Sequence, residues 1–316
     1  MTDTQSTLIP TLIQSPTQEE FEPAVPTTIL VLHLLAVVVP FLGLLAAMVL
    51  LWGHYCSWLY VFMMIGGYVL TAGSITIGYH RLFTHRAFDA NPVVKVILII
   101  LGSMSIQGSL FKWVAVHRKH HQHSDRLGDP HSPHLHDGSL WEMFTGLVHS
   151  HMGWIFKQDA ADILIHAPDL AEDQLMNRIS SLFPLWVALG LILPPLITGL
   201  ITHTWKGALL GFLWGSLARI FVCHHMTWSI NSICHIWGSR PFRTPDHSRN
   251  NPIFGVLSLG EGWHNNHHAF PTSARHGLQW WQFDLSYIVI RALAFLGLAW
   301  DLKLPAADAI AIKRSA

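Results

Sequence analysis

The sequence predicts an all-α membrane protein in which four transmembrane helices carry a helical cap, and the cap holds a polyhistidine site for two metal ions. Hydrophobic residues make up 51% of the 316 residues and charged residues only 12%, four apolar runs reach membrane-crossing length, and histidine occurs 23 times. Lys plus Arg and Asp plus Glu both number 19, so the chain lacks the excess of basic charge that a nucleic-acid partner requires.

The four apolar runs predict the transmembrane helices. They cover approximately residues 28–52, 58–79, 182–201 and 207–223. Each is close to the roughly 20 residues that a helix needs to cross a bilayer. Because only a few polar residues separate the first run from the second and the third from the fourth, we expect two helical hairpins.

The distribution of basic residues predicts the orientation in the membrane. The turns inside the two hairpins contain a single basic residue, Lys206, whereas nearly all the others lie in segments 81–181 and 224–316. Lysine and arginine accumulate on the cytoplasmic side of membrane proteins. We therefore expect both segments, which form the cap, and both termini to face the cytoplasm from an inner or plasma membrane.

Three further segments are not predicted to cross the membrane. Residues 1–27 contain proline and acidic residues and are expected to form a mobile arm, which leaves residues 28–316 as one integral membrane domain. A fifth apolar run, Val93–Leu110, is near the minimum spanning length but includes glycine, serine and glutamine. We interpret it as a helix that lies in the membrane plane or is buried in protein, and we interpret the amphipathic stretch Leu285–Trp300 in the same way.

Four histidine clusters lie next to the predicted spans. They are the segments His80-Arg-Leu-Phe-Thr-His85, His117-Arg-Lys-His120-His121, Asn231-Ser-Ile-Cys-His235 and His264-Asn-Asn-His267-His268. Residues spaced i, i+3 and i+4 share one face of a helix, so the histidines of the second cluster converge, as do those of the fourth. The clustered histidines together exceed the first shell of one metal ion and suit two ions with four or five ligands each.

The first cluster has a different spacing. Five positions on an ideal α-helix separate two side chains by about 140° around the axis. We therefore expect His80 and His85 to reach two different ions.

The identity of the metal is predicted from its surroundings. Imidazole binds zinc, copper, iron and nickel, so the ligand type alone does not select one of them. No carboxylate base or nucleophile pair is apparent beside the clusters, which argues against hydrolysis. Attack on an inert C–H bond of a lipid chain needs a redox metal and dioxygen, so we favour two iron ions.

Two other functions remain compatible with the clusters. The same iron site could hydroxylate a fatty-acyl chain or oxidise an alkane, because both reactions begin by removing one hydrogen. A metal transporter would place its ligands inside the spans with acidic partners. The predicted spans contain no Asp or Glu, which argues against transport.

The histidine clusters resemble the histidine boxes of the membrane fatty-acyl desaturase family. The boxes here read YHRLFTH, HRKHH, NSICH and EGWHNNHH, and they occur in the order and at the spacing found in that family. The resemblance covers about Gly66 to Gly277. The stearoyl-CoA desaturase-like branch is the most similar. The resemblance implies a di-iron centre that uses dioxygen and two electrons to take two hydrogens from an acyl chain. The implied ligands are His80, His85, His117, His120, His121, His235, His264, His267 and His268, with Asn231 acting through water. His131 and His151 would support the site from outside.

The same resemblance implies a set of substrate residues. Gln107, Trp113 and Thr227 match positions that shape the bent acyl tunnel, and Tyr68, on one helix face with Ala72, matches the residue that caps it. The implied substrate is a saturated chain of about sixteen to eighteen carbons, oxidised at delta-9. Core packing for Trp113, a hydroxyl bonded to its own helix for Thr227 and helix packing for Tyr68 explain these residues equally well from the sequence.

The acyl carrier and the electron donor are less defined. The stearoyl-CoA enzymes carry an Arg-Asp pair that holds the CoA headgroup, and Ala115 and Val116 occupy those places here. Both acyl-CoA and an acyl chain esterified in a membrane lipid therefore remain possible substrates. No haem, iron–sulfur or dinucleotide motif is found, so a separate donor is expected, either ferredoxin or a cytochrome b5-type protein with its reductase.

Overall fold

The chain is mainly helical. The computed structural model describes residues 25–52, 57–134, 138–157 and 163–314. Most of the predicted mobile arm, residues 1–24, lies outside the described residues, as do residues 53–56 of the first predicted turn. Within them, four helices are long and apolar enough to cross a bilayer. These are span 1 (Thr27–Leu50), span 2 (Trp58–Thr84), span 3 (Phe183–Thr202) and span 4 (Trp205–Ile236).

Spans 2 and 4 are longer than hydropathy predicts, which places their ends at residues 79 and 223. Span 2 continues to Thr84 and span 4 to Ile236. His80 and His235 therefore stand on the spans themselves, and both side chains are buried. Hydropathy ends a span where polar residues begin, whereas these helices continue into protein that surrounds their polar side chains.

Each of these two spans contains a π-helical section, at Ile75–Thr84 in span 2 and at Phe212–Ala218 in span 4. In a π-helix the backbone amide bonds to the carbonyl five residues earlier, and such sections occur frequently at functional sites. At the end of span 2 the amide of His85 donates to the carbonyl of His80 over 3.1 Å. The wider turn changes which side chains share a face.

The fifth apolar run forms a helix only over Pro92–Ser103. Asn91 caps its start by accepting a hydrogen bond from the amide of Val93, 2.9 Å away. Twelve residues rise about 18 Å, which is too short for a hydrocarbon core of about 30 Å. Its length agrees with the prediction that this run does not cross the membrane, and Leu285–Phe295, with 11 residues, is also too short to do so.

The remaining elements are short. The helices are Leu110–His123, Leu140–His151, Ile163–His166, Pro168–Ala171, Gln174–Ser181, Pro252–Leu257, His264–Ala269 and Ala307–Lys313, with a 3₁₀ turn at Gly153–Phe156. Two short strands, Asp89–Ala90 and Ala299–Trp300, pair antiparallel. This pairing fixes the chain after the first histidine cluster to the chain after the fourth.

Span 1 presents exposed apolar side chains such as Leu32 and Leu42 along much of its length, as expected of a helix that faces lipid. Its inner face packs against the π-helical section of span 4. A Cβ atom on Gly43 would lie 2.4 Å from Leu217, so glycine allows the two helices to approach closely.

Arg219 is a buried charge in the middle of span 4, with 2% of its side chain exposed. Its guanidinium donates to the carbonyls of Gly215 (2.7 Å), Met104 (3.2 Å) and Gly190 (3.1 Å) and to the hydroxyl of Thr71 (3.1 Å). None of these acceptors is a carboxylate. The planar group therefore ties spans 2 and 3 and the end of the Pro92–Ser103 helix to span 4.

Replacing Arg219 with lysine should destabilise the protein. A lysine ammonium is a single nitrogen and cannot reach acceptors that lie in several directions, so buried carbonyls lose their partners. We expect the free energy of unfolding to fall by about 2 kcal/mol or more. Thermal unfolding in detergent, with the exposed Arg178→Lys variant as control, checks this, and an unchanged melting temperature would contradict it.

Candidate metal centre

The structure gathers the histidines of the four clusters into two adjacent groups. One group contains His80, His85, His117, His121 and His267, and the other contains His120, His235, His264 and His268. Within each group the candidate ligand atoms all lie within 4.8 Å of one another. The groups adjoin, since the rings of His121 and His268 stack with centroids 4.6 Å apart. Each group has the dimensions of one metal site.

The expectation that His80 and His85 serve different ions is wrong. Both belong to the five-histidine group, and their ring centroids are 4.8 Å apart. The expectation assumed an α-helix, whereas these residues span a π-helical turn, whose wider winding brings positions five apart much closer to the same face. Conversely, the second and fourth clusters divide their histidines between the groups.

The ring nitrogens converge as ligands do. In the five-histidine group the Nε2 atoms of His80 and His267 are 3.1 Å apart, and those of His267 and His121 are 3.0 Å apart. In the other group the Nε2 atoms of His235 and His264 are 3.0 Å apart. Two imidazoles that bind one ion at about 2.1 Å and at right angles would be separated by about 3.0 Å.

Hydrogen bonds behind the rings direct lone pairs inward. The Nδ1 atom of His80 lies 2.6 Å from a carboxylate oxygen of Glu261, so the ring proton resides on Nδ1 and the lone pair on Nε2. The Nε2 atoms of His85, His120 and His268 are buried without a hydrogen-bond partner among the described residues. Converging, unpartnered lone pairs are unfavourable unless a cation lies between them, so the side chains fit a metal in each group.

Four carboxylates hold the ligand rings from behind. The Nδ1 atoms of His120, His235 and His268 lie 2.9, 2.8 and 2.8 Å from the nearest oxygens of Asp129, Asp125 and Asp246 respectively. Glu261 does the same for His80. Such outer partners orient metal-binding histidines and raise their basicity.

These carboxylates were not predicted, and the expectation that none lies beside the clusters is wrong. Asp125 is 110 positions from its partner His235, so no local spacing reveals the pair. One feature of the sequence could have indicated them. Only 12% of the residues are charged, so acidic residues close to the histidine clusters are unusual and are candidates for a role at the site. Hydrolysis is still disfavoured, because each of these carboxylates is bonded to the back of a histidine ring and is not placed as a free base.

Glu261 is itself fixed by a buried arginine. Arg81 donates to Glu261 over 3.3 Å and to Asp284 over 2.9 Å, and its side chain is fully buried. His276 lies beside them, with Nδ1 3.5 Å from Glu261 and its ring 4.5 Å from that of His267. Arg81 and His276 thus support the five-histidine group without belonging to it.

Burial and the neighbouring charges set the protonation states. Burial lowers the pKa of His85, His117 and His121 well below the usual value, so these rings stay neutral and retain a lone pair for a metal. Burial opposes ionisation of Asp125, but the hydrogen bond and charge of His235 outweigh it and hold the pKa of that carboxyl well below its usual range. Asp246 behaves in the same way opposite His268.

Three residues predicted to shape the substrate site lie close to the centre or to each other. Gln107 donates to the hydroxyl of Thr227 over 3.0 Å, and that hydroxyl donates to the carbonyl of Cys223, also over 3.0 Å. The Trp113 ring stacks on His117 with centroids 5.0 Å apart. Their contact with an acyl chain stays a prediction.

The other predicted residues lie further along the spans. Tyr68 and Ala72 share an apolar cluster with Cys223 and Leu259, and the Tyr68 hydroxyl donates to the carbonyl of Leu257. Asn231 is half-buried in span 4, one turn before His235. The structure leaves the roles of Asn231 and Tyr68 as predictions.

The two supporting histidines are placed differently. His131 packs against His120 with ring centroids 4.3 Å apart, behind the four-histidine group. His151 instead bonds to the hydroxyl of Ser232 (3.0 Å) and to His225 (2.9 Å).

Comparison with known proteins identifies the fold that carries these groups. A family model described as fatty acid desaturase matches residues 57–300, a range that includes all four histidine clusters. The chain belongs to the fatty acid desaturase family. The resemblance drawn from the histidine boxes is thereby confirmed, and the protein is an acyl desaturase, an oxidoreductase that is associated with membranes and acts on fatty-acyl chains.

Several curated desaturases are similar over most of the chain. The hex-5-enoyl-[acyl-carrier protein] acetylenase of Moorena producens is 42% identical over 88% of this chain and 88% of its own length. The sn-1 stearoyl-lipid 9-desaturase of Synechocystis is 40% identical over 82% of this chain and 77% of its own. That of Anabaena variabilis is 38% identical over 78% of this chain and 85% of its own.

Proposed function

We propose that this desaturase uses two iron ions, dioxygen and two external electrons to introduce a delta-9 double bond into a saturated acyl chain of sixteen to eighteen carbons. The observation that carries the proposal is the pair of adjacent histidine groups, with five and four rings. The five- and four-histidine groups would each hold one ion. Bound iron would activate dioxygen and remove the two hydrogens.

The protein's own residues would hold and orient these components. Glu261 and Asp125 keep His80 and His235 in the tautomer that offers Nε2 to a metal. Asn231, one turn before His235, would reach a metal through water. Trp113, stacked on His117, would form the wall between the centre and the acyl chain. Positioning of the chain then decides which carbons react.

The acyl chain would lie along spans 2 and 4. Gln107 and Thr227 meet between the metal groups and the Tyr68 cluster, so they would line the bend, and Tyr68 with Ala72 would close the far end. We further propose the two-hairpin topology, with the cap of segments 81–181 and 224–316 on the cytoplasmic side. A ferredoxin or cytochrome b5-type donor would approach this side.

We favour a membrane lipid over CoA as the acyl carrier. The positions of the CoA-binding pair are occupied by Ala115 and Val116, which are 0% and 8% exposed. Buried apolar side chains cannot bind the charged headgroup of CoA. The two stearoyl-lipid 9-desaturase relatives support the same carrier. Separation of lipid classes after expression tests it, and new monoenes confined to acyl-CoA would refute it.

The function itself is tested by mass spectrometry of total fatty acids with double-bond localisation. Cells should express either the wild type or His120→Ala, with ferredoxin and iron supplied. We expect delta-9 monoenes only with the wild type. Hydroxylated chains would indicate the hydroxylase reaction instead, and no new product from either protein would refute the desaturase proposal.

Tyr68→Ala should let longer chains react. The tyrosine ring is bulky and packs beside Ala72, so its removal would lengthen the space for the chain end. We expect chains of more than eighteen carbons among the products, whereas Tyr68→Phe, which keeps the ring but loses the bond to Leu257, should retain the wild-type profile. An unchanged chain-length profile in Tyr68→Ala would remove this assignment.

A further inference from the structure

A cavity opens from the protein surface beside the two histidine groups. Its volume is about 360 Å³, and its lining includes His85, His121, His268, Arg118, Gln122 and Asp246. His85 and His121 belong to the five-histidine group and His268 to the other. The cavity therefore borders residues of both groups.

The histidines of the two groups differ in exposure. As residues, His85, His121 and His268 are partly exposed, whereas the other six are buried. The side chain of His268 is itself only 1% exposed, so His85 and His121 are the two histidines that can present their rings to the cavity. Both belong to the five-histidine group, which is therefore the group that the cavity reaches.

The charges at and beside the opening balance. Asp246 lines it, with its carboxylate bonded to Nδ1 of His268. Arg118 also lines it, but its guanidinium is bonded to the carboxylate of Asp169, which Arg86 shares. Two arginines and two aspartates carry no net charge together, so the opening does not repel a metal ion through an excess of positive charge.

The volume suits an ion that keeps its water. A divalent ion with about six waters, at roughly 30 Å³ each, fits in the cavity with space to spare. The Nε2 atom of His85 is buried and unpartnered among the described residues, so it could replace one of those waters.

We propose that this cavity, which we call the metal port, is where divalent metal ions enter and leave the metal centre by way of the five-histidine group, on a route separate from that of the acyl chain. The proposal rests on the proposed metal centre. The ions lose water at His85 and His121 and pass from there to the enclosed rings. Narrowing the port should slow metal exchange without removing a ligand.

Gln122 allows this test, because it is exposed at the port and belongs to neither group. Iron-loaded protein in detergent is mixed with a coloured ferrous chelator, and the absorbance gives the rate of iron loss. We expect Gln122→Trp to lose iron several-fold more slowly than the wild type, and Gln122→Ala to lose it at least as fast. The control Arg178→Trp, at an exposed residue that does not line the port, should leave the rate of iron loss unchanged.

The outcomes separate the port from the metal centre. Equal rates for the wild type and Gln122→Trp, at equal melting temperatures, would overturn the port while leaving the centre intact. If Gln122→Trp melts at a lower temperature, Gln122→Tyr takes its place under the same criterion. A wild type that retains no metal after loading would overturn both proposals.

Discussion

Replacing His267 with alanine is expected to abolish double-bond formation and to lower the iron content of the purified protein. His267 is fully buried, and its Nε2 lies 3.1 Å from that of His80 and 3.0 Å from that of His121. It therefore connects two parts of the five-histidine group. Loss of a ligand should exceed the roughly 10–100-fold effect of losing an outer partner.

The measurement pairs fatty-acid analysis with iron per chain. His33→Ala is the matched control, because His33 lies in span 1 and belongs to neither histidine group. It should retain activity and iron. Wild-type levels of product from His267→Ala would show that His267 is no ligand.

Replacing Glu261 with glutamine should produce the second largest effect. The carboxylate holds Nδ1 of His80 at 2.6 Å and pairs with Arg81 at 3.3 Å. Glutamine keeps the size but removes the charge, so His80 loses its carboxylate partner and Arg81 keeps only the carboxylate of Asp284 and the carbonyl of Ala274. We expect metal affinity or activity to fall by about 10–100-fold.

Iron titration of the metal-free protein gives the affinity directly. The Glu172→Gln variant serves as control, since Glu172 is exposed and is not part of either histidine group. An affinity equal to that of the wild type would mean that the bond to Glu261 does not position His80.

The spans and the histidine boxes could be predicted because their signals are local. Four apolar runs fall within or close to the four long helices, and the i, i+3, i+4 spacing found the histidines that converge. The helix ends were set too early, because residues such as His80 and His235 are polar in the sequence but buried in the fold.

Features that depend on distant contacts or unusual backbone were not predictable. The π-helical turn at Ile75–Thr84 has no clear sequence signature, yet it alone places His80 and His85 in one group. The triplet His264, His267 and His268 is divided between the two groups. The division depends on which histidines of the other clusters each ring meets. Asp125 could not be assigned for the same reason, because its partner lies on span 4.

The most direct test of the two-iron centre is elemental analysis of the purified wild type together with Mössbauer spectroscopy after loading with enriched iron. We predict two iron ions per chain, in two distinct nitrogen-rich environments that correspond to the five- and four-histidine groups. A single iron per chain, or zinc in place of iron in active protein, would contradict the dinuclear iron centre.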